Sequence, residues 1–326
     1  MKAFKNILLI TIVVLIILVL ILIGLKPVIL SKKDNVKEIS APAIIELGVT
    51  PQTNSQNVLI ANNNIYINSG GTYNISGILQ NGTIFIDTLD EVTLNFNSVT
   101  LVNEQNCLID NRKSTKIVLN LAEDSTNILS DGISSIGAIK SIGDVYLEGD
   151  GTLLIYGNKE NGIDITGGNL IISNVSLYVM AQKSAFDVSG EILINSGTIL
   201  GFGNAGIQIP SNMSKQNTML FNFANTFKEN TIFSLVDSSN ISILDFASIR
   251  DFKTLTLSTP NLINGRYKLL KNTTCQKINS GFGRNCQIDS GEEVIINITN
   301  SYIVDDKWNW YGSMDNVINY NKEIIG

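Results

Sequence analysis

The chain of 326 residues is 44% hydrophobic, ample for a core, and carries a formal net charge of −6 with no histidine. The missing histidine excludes Ser-His-Asp and Cys-His nucleophilic catalysis and removes the commonest zinc ligand. The acidic balance makes nucleic acid and anionic lipid surfaces poor partners, since neither would gain from counterion release or a basic patch.

Residues 1–6 form a short charged segment with Lys2 and Lys5, and residues 7–25 are an uncharged run, apolar but for Thr11 and Gly24, followed by Lys26, Lys32 and Lys33. Nineteen residues rising about 1.5 Å each suffice for a hydrocarbon core of roughly 30 Å. No small-x-small cleavage pattern follows Leu25, so a retained transmembrane signal anchor is expected in place of a removed leader. Lysines on both flanks leave the orientation open by charge alone; the expected location is the cell membrane, single-pass, with the folded part extracellular. Residues 26–56, with Pro, Ser, Asp and Lys and little periodicity, read as a linker.

From residue 57 the pattern turns to short alternating runs such as Ile65-Tyr66-Ile67, Thr83-Ile84-Phe85-Ile86 and Val92-Thr93-Leu94-Asn95-Phe96, separated by Gly, Asn, Asp and Ser. A phrase of one small and one larger apolar residue then recurs at Cys107-Leu108, Ala138-Ile139, Gly162-Ile163, Ala185-Phe186 and Gly206-Ile207, with separations of 31, 24, 23 and 21 residues. Each of the middle three is followed by two further strand-like runs, as in Asp144-Val145-Tyr146-Leu147 and Gly151-Thr152-Leu153-Leu154-Ile155 after Ala138-Ile139. Three short strands per repeat match one rung of an all-β, single-stranded parallel β-helix, each strand pairing with its equivalent one rung away at about 4.8 Å. The expected extent is residues 57–270. Leu108, Ile139, Ile163, Phe186 and Ile207 are expected on one inward line, with Cys107, Ala138, Gly162, Ala185 and Gly206 beside it at a tight corner. A β-sandwich, the alternative, would not keep this register.

Residues 218–258 are strand-like but less regular and read as last rungs or a cap over the open end. Residues 271–326 are expected to form a C-terminal cap or extension, with Trp308, Trp310 and Tyr311 as an apolar group covering the coil or, alternatively, stacking on sugar. Cys275 and Cys286 flank a Gly-containing loop and, outside the cell, either close a disulfide or stay free. Cys107 reads as a buried free thiol.

The phrases Ser69-Gly70-Gly71-Thr72-Tyr73-Asn74-Ile75-Ser76-Gly77, Gly149-Asp150-Gly151-Thr152-Leu153, Asn161-Gly162-Ile163 and Gly167-Gly168-Asn169-Leu170-Ile171-Ile172 resemble those of a bacterial and archaeal carbohydrate-binding family first defined as a domain of unknown function. Ser258-Thr259-Pro260-Asn261-Leu262 and Gly265-Arg266-Tyr267-Lys268-Leu269 resemble its C-terminal signature. The resemblance implies a right-handed parallel β-helix shaped like pectate lyases that binds calcium and plant-type polysaccharides such as cellulose or polygalacturonate, without catalysis. Where the family repeats Asp-Gly-Ile, this chain has Gly137, Asn161, Ser184 and Ala205 at the Asp position.

Two carboxylates, Asp164 and Asp187, fall at the same offset in adjacent rungs, with Lys140 one rung before and Gln208 one rung after. Stacked at about 4.8 Å they would repel unless a cation lay between them, so Asp164, Asp187 and Asn161 are the candidate calcium ligands. Their alternative reading is solvated acids eased by Lys140. Tyr146 and Tyr178 fall between apolar neighbours and should point outward, where they could stack on sugar rings or serve simply as strand formers. The expected function is surface-anchored, non-catalytic binding of a plant-type or cell-wall polysaccharide. The alternatives are a calcium-dependent polysaccharide lyase, the one β-helix chemistry that composition permits, and a purely structural surface protein. No catalytic residue is assigned.

Overall fold

A computed structural model describes residues 42–263 and, beyond them, the strands Gly265–Lys271, Thr274–Asn279, Phe282–Gln287, Glu293–Ile298, Tyr302–Val304, Trp310–Ser313 and Ile324–Ile325. The expected anchor at 7–25 lies outside the described residues, among which no helix is long and apolar enough to cross a membrane. Trp308 and the side chains of Trp310, Tyr311, Cys275 and Cys286 also lie outside them. The backbone of Thr274–Asn279 pairs antiparallel with that of Phe282–Gln287, with Cys275 opposite Cys286.

The chain winds about six turns of a parallel solenoid with three faces. The first face carries Lys116–Leu121, Asp144–Gly149, Leu170–Ile172 and Ile192–Ile194, stacked on the first half of Val92–Val102. The second carries Thr126–Ser130, Thr152–Gly157, Ser176–Ala181 and Thr198–Gly203, stacked on the second half of Val92–Val102. The third carries Asn64–Ile67, Ile84–Ile86, Ile109–Asn111, Gly137–Ser141, Asn161–Ile165 and Phe186–Val188.

Alternation puts every second side chain inside, so identical positions stack into ladders. On the third face Ile65, Ile84, Ile109, Ile139, Ile163 and Phe186 form one unbroken buried line. Each such side chain is worth roughly 1.5–3 kcal/mol on burial. The expected line was off by one in its first member: Ile109, not Leu108, stands opposite Ile139. Leu108 instead donates its N–H to Ala138 at 3.0 Å and lies level with the small residues, which leaves Cys107 only partly buried. The need for small residues is sharpest at Gly162, where an added Cβ would stand 2.1 Å from a Val179 methyl.

The last expected rung does not exist. Gly206 turns the chain with φ +75°, and Ile207 packs against Leu220 on a loop crossing the end of the coil. That loop covers two strand edges. The Gln208 side-chain amide accepts from Val188 N–H at 2.8 Å and donates to Val188 C=O at 2.6 Å, standing in for the missing strand. Ser214 Oγ accepts from Ile194 N–H at 3.0 Å. On the second face Phe252–Ser258 pairs antiparallel with Thr198–Gly203 and is itself flanked by Thr218–Phe227, so parallel stacking stops at residue 203 rather than near 270. At the other end it starts earlier than expected, because Ala43–Leu47 pairs in parallel with Gly71–Gln80. All of this removes exposed ladder groups that would otherwise recruit a foreign strand.

A second antiparallel sheet, built on Ile232–Asp237, Ser242–Ala247 and Gly265–Lys271, lies against the outside of the second face. Its Phe233, Phe246 and Leu269 form a separate core with Leu154, Tyr178, Leu200 and Phe202 of the solenoid.

Candidate functional site

Three outward features of the coil concentrate polar chemistry. On the third face one outward column reads Tyr66, Phe85, Asp110, Lys140, Asp164, Asp187. The two expected acids therefore are neighbours. Asn161 joins them, with its Nδ2 donating to Oδ2 of Asp164 and of Asp187 at 3.0 Å each. Lys183 Nζ approaches Asp187 Oδ2 at 3.9 Å and Glu160 Oε2 at 3.8 Å, while Lys140 Nζ lies 3.7 Å from Asp110 Oδ1. Asp164 is not the solvated residue of the alternative reading. It is only 7% exposed, and burial is the main cause raising its pKa above the ordinary carboxylate range, with Asp187 adding to the shift.

Asp164 Oδ1 and Asn161 Oδ1 are both buried without a hydrogen-bond partner. An orphan carboxylate oxygen and an orphan amide oxygen beside the Asp187 carboxylate are the kind of donor set a hard cation takes. Among the described residues no three His, Cys, Asp or Glu side chains gather closely enough to hold a metal, so any ion here would rest on Asp164, Asp187, Asn161 and water. The residues fit calcium in donor type.

Asp110 falls outside the sequence expectation because the phrase Cys107-Leu108 sets the first rung one residue early. The phrase Ile109-Asp110-Asn111, set against Ile139-Lys140-Ser141 and Ile163-Asp164-Ile165, would have placed it. It binds Arg112, whose Nε donates to Asp110 Oδ2 at 3.0 Å while the guanidinium lies 3.7 Å from the Phe85 ring centre. Phe85 in turn stacks on Tyr66 at 5.0 Å.

The first face carries two parallel outward columns. One is Thr72, Thr93, Val118, Tyr146, Ile171, Leu193. Tyr146 points outward as expected, half-exposed, with Lys116 Nζ 4.9 Å from its ring centre. Two residues along each strand runs the second column, Asn74, Asn95, Asn120, Glu148. Its amides are linked, with Asn95 Nδ2 donating to Asn74 Oδ1 at 2.8 Å and Asn120 Nδ2 to Asn95 Oδ1 at 3.0 Å.

Tyr178 corrects its expectation. It does point out of the solenoid, but the second sheet covers it to 1% exposure. Its hydroxyl donates to Ala247 C=O at 3.1 Å and accepts from Ile249 N–H at 3.3 Å. A ring so enclosed has no face for a sugar. At the same seam Asp131, 2% exposed, accepts from Asn158 N–H at 2.5 Å, and Arg250 Nη2 donates to Asn158 Oδ1. Burial pushes the Asp131 pKa up to about 6.

Residues 61–219 match the family model described as carbohydrate-binding domain-containing protein. No curated protein matches the chain. Among solved structures, one described as the polysaccharide lyase-like protein from C. thermocellum, in a gadolinium derivative, is similar at 22% identity over 52% of this chain and 73% of that one, with a TM-score of 0.46.

Proposed function

We propose that this protein is a surface-anchored solenoid that binds polysaccharide without cleaving it, held at the membrane by residues 7–25 and carrying its coil outside the cell. The observation behind this is the family match, whose span of 61–219 takes in the rungs from Asn64–Ile67 to Thr198–Gly203. Long in-register columns support it, because a repeating polymer can meet repeating side chains. Binding is favoured over lyase chemistry because the basic side chains near the acids are already engaged. A lyase base must be placed to reach substrate, yet Lys140 and Lys183 stand beside Asp110 and Asp187, and Arg112 is bonded to Asp110. Calcium belongs to the reading as a stabilising ion on Asp164, Asp187 and Asn161.

Two measurements test it. The purified full-length chain is expected to be retained on insoluble polysaccharide with no ultraviolet-absorbing unsaturated product. Failure to bind any of a panel of cellulose, polygalacturonate and cell-wall glycans would overturn the reading, and unsaturated product would establish the lyase. Calcium at ten times its Kd should stabilise the fold by about 1.4 kcal/mol, a rise in Tm of roughly 3–6 °C. The rise should vanish in Asp164→Asn and Asp187→Asn, and an equal rise in these variants would remove calcium from this site.

A further inference from the structure

The amide column does not lie on a flat sheet. Between Ser76/Asn97 and Gly77/Val99 the pairing of the two long strands shifts by one residue, leaving Ser98 as a bulge with φ +57°. A bulge bends its strand and re-aims the side chains beside it. Here it turns the sheet from the first face to the second. Gly77 permits the fold to close at that corner: its φ is +98°, and a Cβ there would stand 2.5 Å from Leu47 O. The result is an open groove of about 440 Å³ whose polar lining is Asn74, Asn95, Asn97, Asn120 and Ser76, with Ile44 as one apolar wall. No lining residue is charged, although the chain as a whole is acidic.

The hydrogen bonding of the column leaves it partly unspent. An asparagine amide offers two N–H donors and one acceptor oxygen. Asn95 and Asn120 each use one N–H along the ladder, and Asn74 accepts at one end without donating to the protein. Each amide thus keeps at least one N–H, and Asn120 keeps its oxygen, all held at fixed orientation by the ladder. Two residues further along the same strands, exposed Ser76 and Asn97 add groups with no protein partner. Pre-set donors and acceptors cost less to immobilise on binding than free side chains. Their rung spacing of about 4.8 Å is close to the rise of one sugar in an extended chain.

Resting on the polysaccharide-binding reading above, we propose that this groove is a binding site for an uncharged, extended polysaccharide lying along the coil axis. Its hydroxyl groups bond the Asn74, Asn95, Asn97 and Asn120 amides. The apolar C–H faces of its rings meet the neighbouring column at Tyr146 and Ile171. An acidic polymer is disfavoured, because the amide column continues into Glu148 and the adjacent parallel strand carries Glu46 beside Ser76.

Affinity electrophoresis of the full-length chain through gels holding soluble mixed-linkage β-glucan or polygalacturonate tests the assignment. Retardation by the glucan is expected for the wild type and should weaken at least tenfold in Asn95→Ala. Asn97→Ala, which touches no ladder bond and so leaves folding intact, should weaken it by a factor of about three to ten, one hydrogen bond's worth. Wild-type retardation unchanged in both variants would move the site elsewhere while leaving polysaccharide binding in place. Retardation by polygalacturonate alone would overturn the uncharged ligand. Retardation by neither polymer would overturn this site.

Discussion

Replacing Tyr178 with alanine is expected to cost about 4 kcal/mol or more of stability, the largest single-residue effect at the seam between solenoid and second sheet. Two contributions add. Removing a buried aromatic ring leaves a cavity, which typically costs about 3–5 kcal/mol. Here that ring packs on Phe202 at 5.2 Å and Phe282 at 6.3 Å. Loss of the hydroxyl also strands Ala247 C=O and Ile249 N–H, both of which it bonds. Tyr178→Phe isolates the second contribution and should cost about 1–3 kcal/mol. Urea unfolding of the two variants separates these terms. A change below 1 kcal/mol for the alanine variant would mean that the sheet does not rest on this ring.

Stability is expected to fall as pH rises from about 4 to 6, with Asp131 as the main cause. The sign follows from its pKa, about 6 in the folded chain against 3.8 for an ordinary aspartate. Between those values the native state holds a proton that the unfolded chain has released, so raising the pH favours unfolding until both forms are ionised. Two pKa units correspond to about 3 kcal/mol, complete above the folded value and absent below the unfolded one. The cause is burial, offset in part by Asn158, Ser135 and Arg250. Asp164 shifts in the same direction. Asp131→Asn should therefore match the wild type near pH 4 and exceed it above pH 6.5. Superimposable stability–pH curves for the two proteins would refute the assignment.

The rungs were legible because their chemistry is local. Isoleucine at Ile139 and Ile163 and the small residues Ala138 and Gly162 repeat because every turn meets the same corner, and side chains alternate in and out along a strand. The same rule placed Asp164 beside Asp187 and turned Tyr146 outward. It failed by one residue at the first rung, where Ile109 and not Leu108 holds the line. The interval from Cys107 to Ala138 is longer than the later ones, so spacing there was a poor guide to register. That slip hid Asp110. The amide column went unread for another reason: Asn74, Asn95 and Asn120 carry no apolar signal, and asparagine is common in turns.

What the sequence determined by itself was the repeat, the inward ladder and the direction in which each strand residue points, since these depend on neighbours along one strand and on the rung beside it. Tertiary structure alone decided which outward residues stay in solvent. Tyr146 and Tyr178 share the same outward alternation, yet only Tyr178 disappears beneath Ile232–Asp237 and Ser242–Ala247, strands far along the chain. Likewise the groove exists only once Ile44, Asn74, Asn95 and Asn120 of successive strands are stacked in register beside the bulge at Ser98. Exposure and concavity are properties of long-range packing, to which local periodicity is blind.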